Sequence, residues 1–197
     1  MLNMMKLSDC AKIVGGQIMS RVTANVEKGD EVVETRKVVI PKCIHSDGTI
    51  VVEDMPEEDL KVAADTKKLT QAGDIVIKLS TPYDAGLVTD ETAGAIVPSF
   101  CAIIKLNESV DHNYLLAFLN SSTCKDQLRM QVSGAIMTVL SVGKVGGVEV
   151  PFPSINEQEA IGTRFVETAN RLAILRKITA LEVKRNDVTF KEMIKNI

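Results

Sequence analysis

Residues Val150 to Ile197 read VPFPSINEQEAIGTRFVETANRLAILRKITALEVKRNDVTFKEMIKNI, and after Pro153 the stretch contains no proline and only one glycine, Gly162. The pattern predicts a single long helix, entered from a strand end broken by Pro151 and Pro153. Ser154 stands three residues before Glu157, the spacing of a capping box, in which the serine oxygen takes an orphan amide and the glutamate reaches back. A helix from Ser154 to the C-terminus is roughly 60 Å long at 1.5 Å per residue, about twice the width of a small domain. Part of it must therefore pack on something other than its own domain. Two apolar stripes fit that division. Ile161, Phe165, Leu172 and Leu175 are expected to face the chain's own domain. Ile174, Ile178, Leu181 and Val188 are displaced around the helix and are expected to lie against a second helix. Arg164, Arg171, Arg176, Lys177, Lys184 and Arg185 occupy the more polar sides.

The chain has 197 residues, enough for one domain over 1–153 followed by the helix over 154–197. Hydrophobic residues at 45% and charged residues at 25% allow a sizeable core. No apolar run is long enough to cross a bilayer, and MLNMMKLSDCAKIVGG lacks the form of a secretory signal, so a cytoplasmic protein is expected. Cys10, Cys43, Cys101 and Cys124 form no C-x-x-C pair and are expected to be reduced, partly buried thiols. Cys43 and His45 lack the second ligand pair that a structural zinc needs, so no metal is expected. A net charge of −3 argues against coating nucleic acid by charge alone and leaves a local patch open.

Along the chain, LSDCAKIVGG (Leu7 to Gly16) reads as a helical turn capped by Ser8 and ended by the double glycine. EVVETRKVVIP (Glu31 to Pro41) reads as a strand, and Asp47-Gly48 as a hairpin turn between two short strands. The acidic stretch Met55 to Thr66 suits a short helix or turn. Ile75 to Leu79 and Ala95 to Leu106 are apolar enough to form the centre of a sheet, with Pro98 marking a bulge, edge or break. Asp111 can cap a helix through YLLAFLNSS, and a second short helix follows through CKDQLRMQV to Ser133-Gly134. A brief turn and a last strand then lead into the long helix. Strands first and helices later predict an α+β fold: a compact mixed α/β domain followed by one long C-terminal helix.

Catalytic patterns are missing. SVGKVGG fits neither a dinucleotide-binding nor a phosphate-binding loop. Thr81-Pro82-Tyr83-Asp84 is an incomplete version of the proline-aromatic motif of base methyltransferases, and no glycine-rich cofactor loop precedes it. His45 and His112 have no nucleophile-elbow serine or cysteine to pair with. The carboxylates at Glu53-Asp54 and Glu57-Glu58-Asp59 sit in a hydrophilic run that reads as a solvated loop.

Several segments, taken in order, resemble the specificity subunit of type I restriction-modification enzymes. They are LSDCAKIVGG, AGDIVIKLST (Ala72 to Thr81), AIVPSFCAIIKL (Ala95 to Leu106), NYLLAFLNSS (Asn113 to Ser122), SGAIMTVLSVGKVGGVEVPFP (Ser133 to Pro153) and INEQEAIGTRF at the start of the helix. The resemblance spans nearly the whole chain but one half of a full-length member, which carries two target-recognition domains and two helices paired antiparallel. It implies a half-length specificity subunit that is not itself an enzyme and reads double-stranded DNA. DNA methyltransferase (modification) subunits would carry S-adenosylmethionine and methylate adenine, and a restriction subunit would join the complete enzyme. It also implies a homodimer, with Ile174, Ile178, Leu181 and Val188 at its interface, acting on an interrupted palindrome. The alternative is an assembly or regulatory protein on the same scaffold that binds modification subunits without reading DNA.

Base reading requires side chains on loops that reach a groove, with cations nearby to hold phosphates. The DNA-binding candidates are Arg36, Lys37 and Lys42 around the early strand, and Lys67, Lys68, Lys78, Ser80, Thr81 and Tyr83 around the GDI strand. Arg129, Ser133 and Lys144 lie near the later segment. Residues 1–153 are more acidic than the chain as a whole, which runs against the usual dominance of phosphate neutralisation.

Overall fold

The computed structural model describes residues 3–107, 110–132 and 139–195. In chain order its elements are β1 (Asn3–Lys6), α1 (Leu7–Cys10), β2 (Ala11–Gly15), α2 (Met19–Val22), β3 (Glu34–Lys37), β4 (Glu57–Leu60), β5 (Ile75–Lys78), β6 (Ala85–Leu87) and β7 (Cys101–Leu106). They continue with α3 (His112–Asn120), α4 (Ser122–Val132), α5 (Val142–Gly146), β8 (Glu149–Phe152) and α6 (Ile155–Lys195), with single 3-10 turns between several of them. The class is α+β, as expected.

An antiparallel sheet in the order β2-β7-β5-β6 divides the domain into two apolar layers. Side chains alternate across a strand. Ile75, Ile77, Ala102 and Ile104 accordingly face one core, shared with Leu115, Leu119 and Leu128 of α3 and α4. Val76, Cys101 and Ile103 face a second core with Val39, Ile44, Val88 and Val97. Burial on both faces explains why these strands read as continuous apolar runs. Pro98 breaks the segment before β7, and Ile96 bridges Val38 on one side and Leu69 on the other. All four cysteines are buried free thiols, and burial pushes Cys101 and Cys124 up to about 12.

Several sequence expectations change. The N-cap of α1 is Lys6, without a side-chain bond, and the chain passes into β2 rather than stopping at the double glycine. The strand expected over Glu31 to Pro41 shortens to β3, with a 3-10 turn at Pro41–Cys43. The Asp47-Gly48 turn forms, with Gly48 at φ +87°, but its arms share the isolated bridge Ile44↔Ile50 rather than two full strands. The acidic run is a strand, β4, because Glu58 and Glu57 stand opposite Arg36 and Lys37 of β3 and the charges complement across the ladder. Residues 133–138 of the expected turn lie outside the described residues.

The helix at the C-terminus is 41 residues long. Glu157 accepts from the Ser154 amide at 2.9 Å, but the serine hydroxyl donates to the same carboxylate at 2.6 Å instead of capping a helix amide. The face that packs on the domain differs from the one expected. Ile161 and Leu172 are 46% and 42% exposed and Leu175 is also exposed, whereas Gln158, Gly162 and Ala169 are buried and Phe165 packs against the core. The packed stripe is small and polar because α3 comes too close for larger side chains. A Cβ at Gly162 would lie 2.6 Å from Asp111 Oδ1 and 2.8 Å from the Tyr114 amide.

Candidate nucleic-acid interface

Three contacts fix α6 to the domain. The Gln158 side chain, buried, accepts from the Asp111 amide at 3.1 Å and donates to Pro153 O at 3.1 Å. Asp111 in turn caps α3 by accepting from the Tyr114 amide at 2.7 Å, and the Tyr114 hydroxyl donates to Pro151 O in β8. About five turns further along the helix, Arg176 forms an ion pair with Asp47 of the hairpin turn. Burial pushes the Asp47 carboxyl up, but bonds from Thr49 and then Arg176 outweigh it and hold the group below its ordinary value. Between these anchors, α6, α3 and the hairpin turn enclose a cleft of about 250 Å³ lined by Gly48, Asn113, Leu116, Phe165 and Asn170 among others. Beyond Arg176 the helix leaves the domain. Ile174, Ile178, Leu181 and Val188 are all exposed, Ile178 by 51% and Leu181 by 66%.

Four of the DNA-binding candidates from the sequence form one group and four a second, and the rest stand apart from both or lie outside the described residues. Lys37 and Lys68 lie beside Val38 and Leu69, which flank Ile96 from opposite sides, so Arg36, Lys37, Lys67 and Lys68 gather around one segment. Arg36 is held by Glu34 at 2.7 Å, while Lys37 and Lys67 are exposed. Lys42 stands apart, paired with Asp54 at 2.7 Å.

The second group surrounds the loop that follows β5. Ser80 is half-buried and Thr81 exposed, the Thr81–Pro82 peptide is cis, and Tyr83 has φ +58°. The Tyr83 ring is buried in the core, away from any groove surface. Lys78 is equally committed: with Lys125 of α4 it clamps Asp84, at 2.9 and 2.7 Å. Burial raises the cost of the Asp84 charge, but the bonds from Lys125 and Lys78 outweigh it and depress its pKa. Arg129 pairs with Asp126 at 2.6 Å on the surface of α4, and Lys144 donates to Gln131 O at 2.7 Å. Ser133 lies outside the described residues. His112, at the start of α3, bonds Gly73 O through Nδ1 at 2.6 Å.

Sequence reading met Gln158 only within the segment INEQEAIGTRF, and did not pick out Lys125, the Arg176–Asp47 pair, or Lys12 and Lys105, which stand directly opposite each other on β2 and β7. Only the strand register brings that last pair together. Among the described residues no cluster of histidine, cysteine or carboxylate side chains could hold a metal ion, and no helix is long and apolar enough to cross a membrane.

No protein-family description and no curated protein matches the sequence. Solved structures do match. The HsdS subunit from Thermoanaerobacter tengcongensis is 19% identical, with a TM-score of 0.64 over 90% of this chain and 44% of that one. A chain from a structural study of complex assembly and conformational transition in the type I restriction-modification system is 19% identical, with a TM-score of 0.67 over 90% and 44%. The type I S subunit from M. genitalium is 11% identical, with a TM-score of 0.54 over 94% and 44%. The chain thus has the fold of type I specificity subunits, domain and long helix together, and spans less than half the length of each of these neighbours.

Proposed function

We propose that this chain is a DNA-reading specificity subunit of a type I restriction-modification methyltransferase and is not itself catalytic. The observation that carries the reading is the shared fold over nine-tenths of the chain, long helix included. Modification subunits bearing S-adenosylmethionine would transfer a methyl group to adenine, and a restriction subunit would join the complete enzyme, all in the cytoplasm. The exposed stripe Ile174, Ile178, Leu181 and Val188 would pair with the same stripe of a second copy. Two-fold symmetry would present two identical readers to an interrupted palindrome. Of the DNA-binding candidates, Lys37, Lys67, Lys68, Ser80 and Thr81 are those whose surroundings leave them able to reach DNA.

The test is selection from a random duplex library by the chain assembled with modification subunits. A bipartite palindromic consensus, bound with steep salt dependence, is the expected result. Recovery of unselected sequence, with the complex intact, would count against DNA reading. That second outcome belongs to the other reading, an assembly or regulatory protein on the same scaffold. It is favoured by the neutralisation of Arg36, Lys42, Lys78 and Arg129 by carboxylates.

A further inference from the structure

Two clefts share Lys12 in their linings, and of the DNA-binding candidates only Lys67 lines either of them. The first, about 420 Å³, is bounded by Lys6, Ser8 and Lys12 on one side and by Gly143, Gly146 and Gly147 of α5 and its end on the other. The second, about 310 Å³, is bounded by Lys12, Thr66, Lys67, Gln71 and Lys105. Four lysines from four separate elements thus line one continuous track. Lys12 and Lys105 are direct cross-strand partners, and the Asp74 carboxylate beside Lys105 offsets one of the two like charges, which leaves Lys12 uncompensated.

Of the carboxylates near the track, Glu149 stands directly opposite Lys6 on β8 without forming an ion pair with it, and the others are engaged. Asp74 holds Lys105 at 2.7 Å and also accepts from the Gln71 amide. Asp65 accepts from the Lys67 amide, and Asp9 takes the Ser8 hydroxyl at 3.4 Å. Among the described residues no carboxylate lies within ion-pair distance of Lys6, Lys12 or Lys67, although acidic side chains outnumber basic ones in residues 1–153. In an acidic domain, such a concentration of unpaired cations is a local feature of the kind that holds polyanions. The glycine wall matters as well: a Cβ at Gly143 would meet nothing closer than 4.0 Å, so the cleft is open there and backbone can approach a ligand.

We propose that the Lys6–Lys12–Lys67–Lys105 track holds the sugar–phosphate backbone of duplex DNA, independently of base sequence. The proposal rests on the DNA-reading function above and adds to it a phosphate-contact surface distinct from the loops that would read bases. An extended, open track with its cations spread along it suits successive phosphates of one strand better than a single small anion, which needs converging donors in a closed pocket.

The full chain is titrated against fluorescent 30-base-pair duplexes of random sequence at salt from 50 to 300 mM. The combined variant Lys6→Ala, Lys12→Ala and Lys67→Ala should weaken binding about fivefold per lysine near 0.15 M salt and flatten the salt slope by about 1 per lysine. Gly147→Glu, whose new Cβ meets no contact closer than 3.5 Å, should fold normally and weaken binding in the same way by bringing a negative charge into the first cleft. Lys28→Ala, on an exposed turn elsewhere, should change nothing. Wild-type binding that both altered chains reproduce in affinity and slope overturns the track while leaving DNA reading in place. A wild-type chain that binds no duplex even at 50 mM salt overturns the DNA-reading function and the track with it. Equal melting temperatures exclude misfolding as the cause of any loss.

Discussion

Asp84 is the residue on which the loop after β5 depends. Its carboxylate is almost fully enclosed and neutralises two lysines whose side chains are themselves 12% and 13% exposed. Removing the carboxylate leaves two partly buried cations facing each other, so Asp84→Asn should cost roughly 2–4 kcal/mol in urea unfolding. The pH dependence follows from the depressed pKa. A carboxyl with a lower pKa in the folded state contributes stability that is complete above its unfolded value, near 3.9, and is lost as pH falls through the lower folded value. Wild-type stability should therefore drop below about pH 4, and the drop should be smaller in Asp84→Asn, where this contribution is already gone; an unchanged acid limb would contradict the assignment. From sequence, Thr81-Pro82-Tyr83-Asp84 reads as a fragment of a base-holding motif. The structure gives Tyr83 to the core and Asp84 to an ion pair with Lys125, a partner 41 positions away that only the tertiary fold supplies.

At the scale of elements, the long helix shows what sequence can and cannot specify. Its start, its length and its overhang follow from the absence of proline and from Ser154 and Glu157. The central strands β5 and β7 follow from their unbroken apolar runs, and the α3 cap follows from Asp111. The face that α6 turns to its own domain does not follow, because periodicity favours large apolar residues and the fold uses Gln158, Gly162 and Ala169. That choice comes from the close approach of α3, which hydrophobic patterning does not encode. Gly162 is the residue that permits it. Gly162→Ala gains up to about 1 kcal/mol of helix propensity. It also drives a methyl into the Asp111 cap and the Tyr114 amide, a backbone neighbour that cannot swing aside. The net effect should be a loss of about 1–2 kcal/mol, with faster hydrogen exchange at the start of α3. A stabilised Gly162→Ala chain would show that the helix root is looser than the contacts imply. The same limit applies to strands: Met55 to Thr66 reads as a short helix or turn, and the pairing of its Glu57–Leu60 segment as β4 depends on Arg36 and Lys37 across the ladder.

For the whole molecule, the candidate site was legible in the sequence only as a set of cations. Cations were visible in the sequence, but not which of them are spent on carboxylates. Arg36, Lys42, Lys78 and Arg129 are paired, whereas Lys6 and Lys12, which drew no notice as residues, line open clefts. The proposed assembly through α6 gives a direct check at this scale. Ile178→Asp, at an exposed position of the single chain, should leave the melting temperature of the domain within a degree or so and convert a sedimenting dimer to monomer. A dimer that survives would place the pairing surface elsewhere. The central claim, that this chain chooses where methyl groups are placed on DNA, is tested most directly by mapping methylated adenines across a genome. The map is made in cells that express the modification subunit, with and without this chain. A bipartite, palindromic methylation motif that appears with the chain and vanishes without it is the result expected. An identical methylome in the two strains would contradict the account.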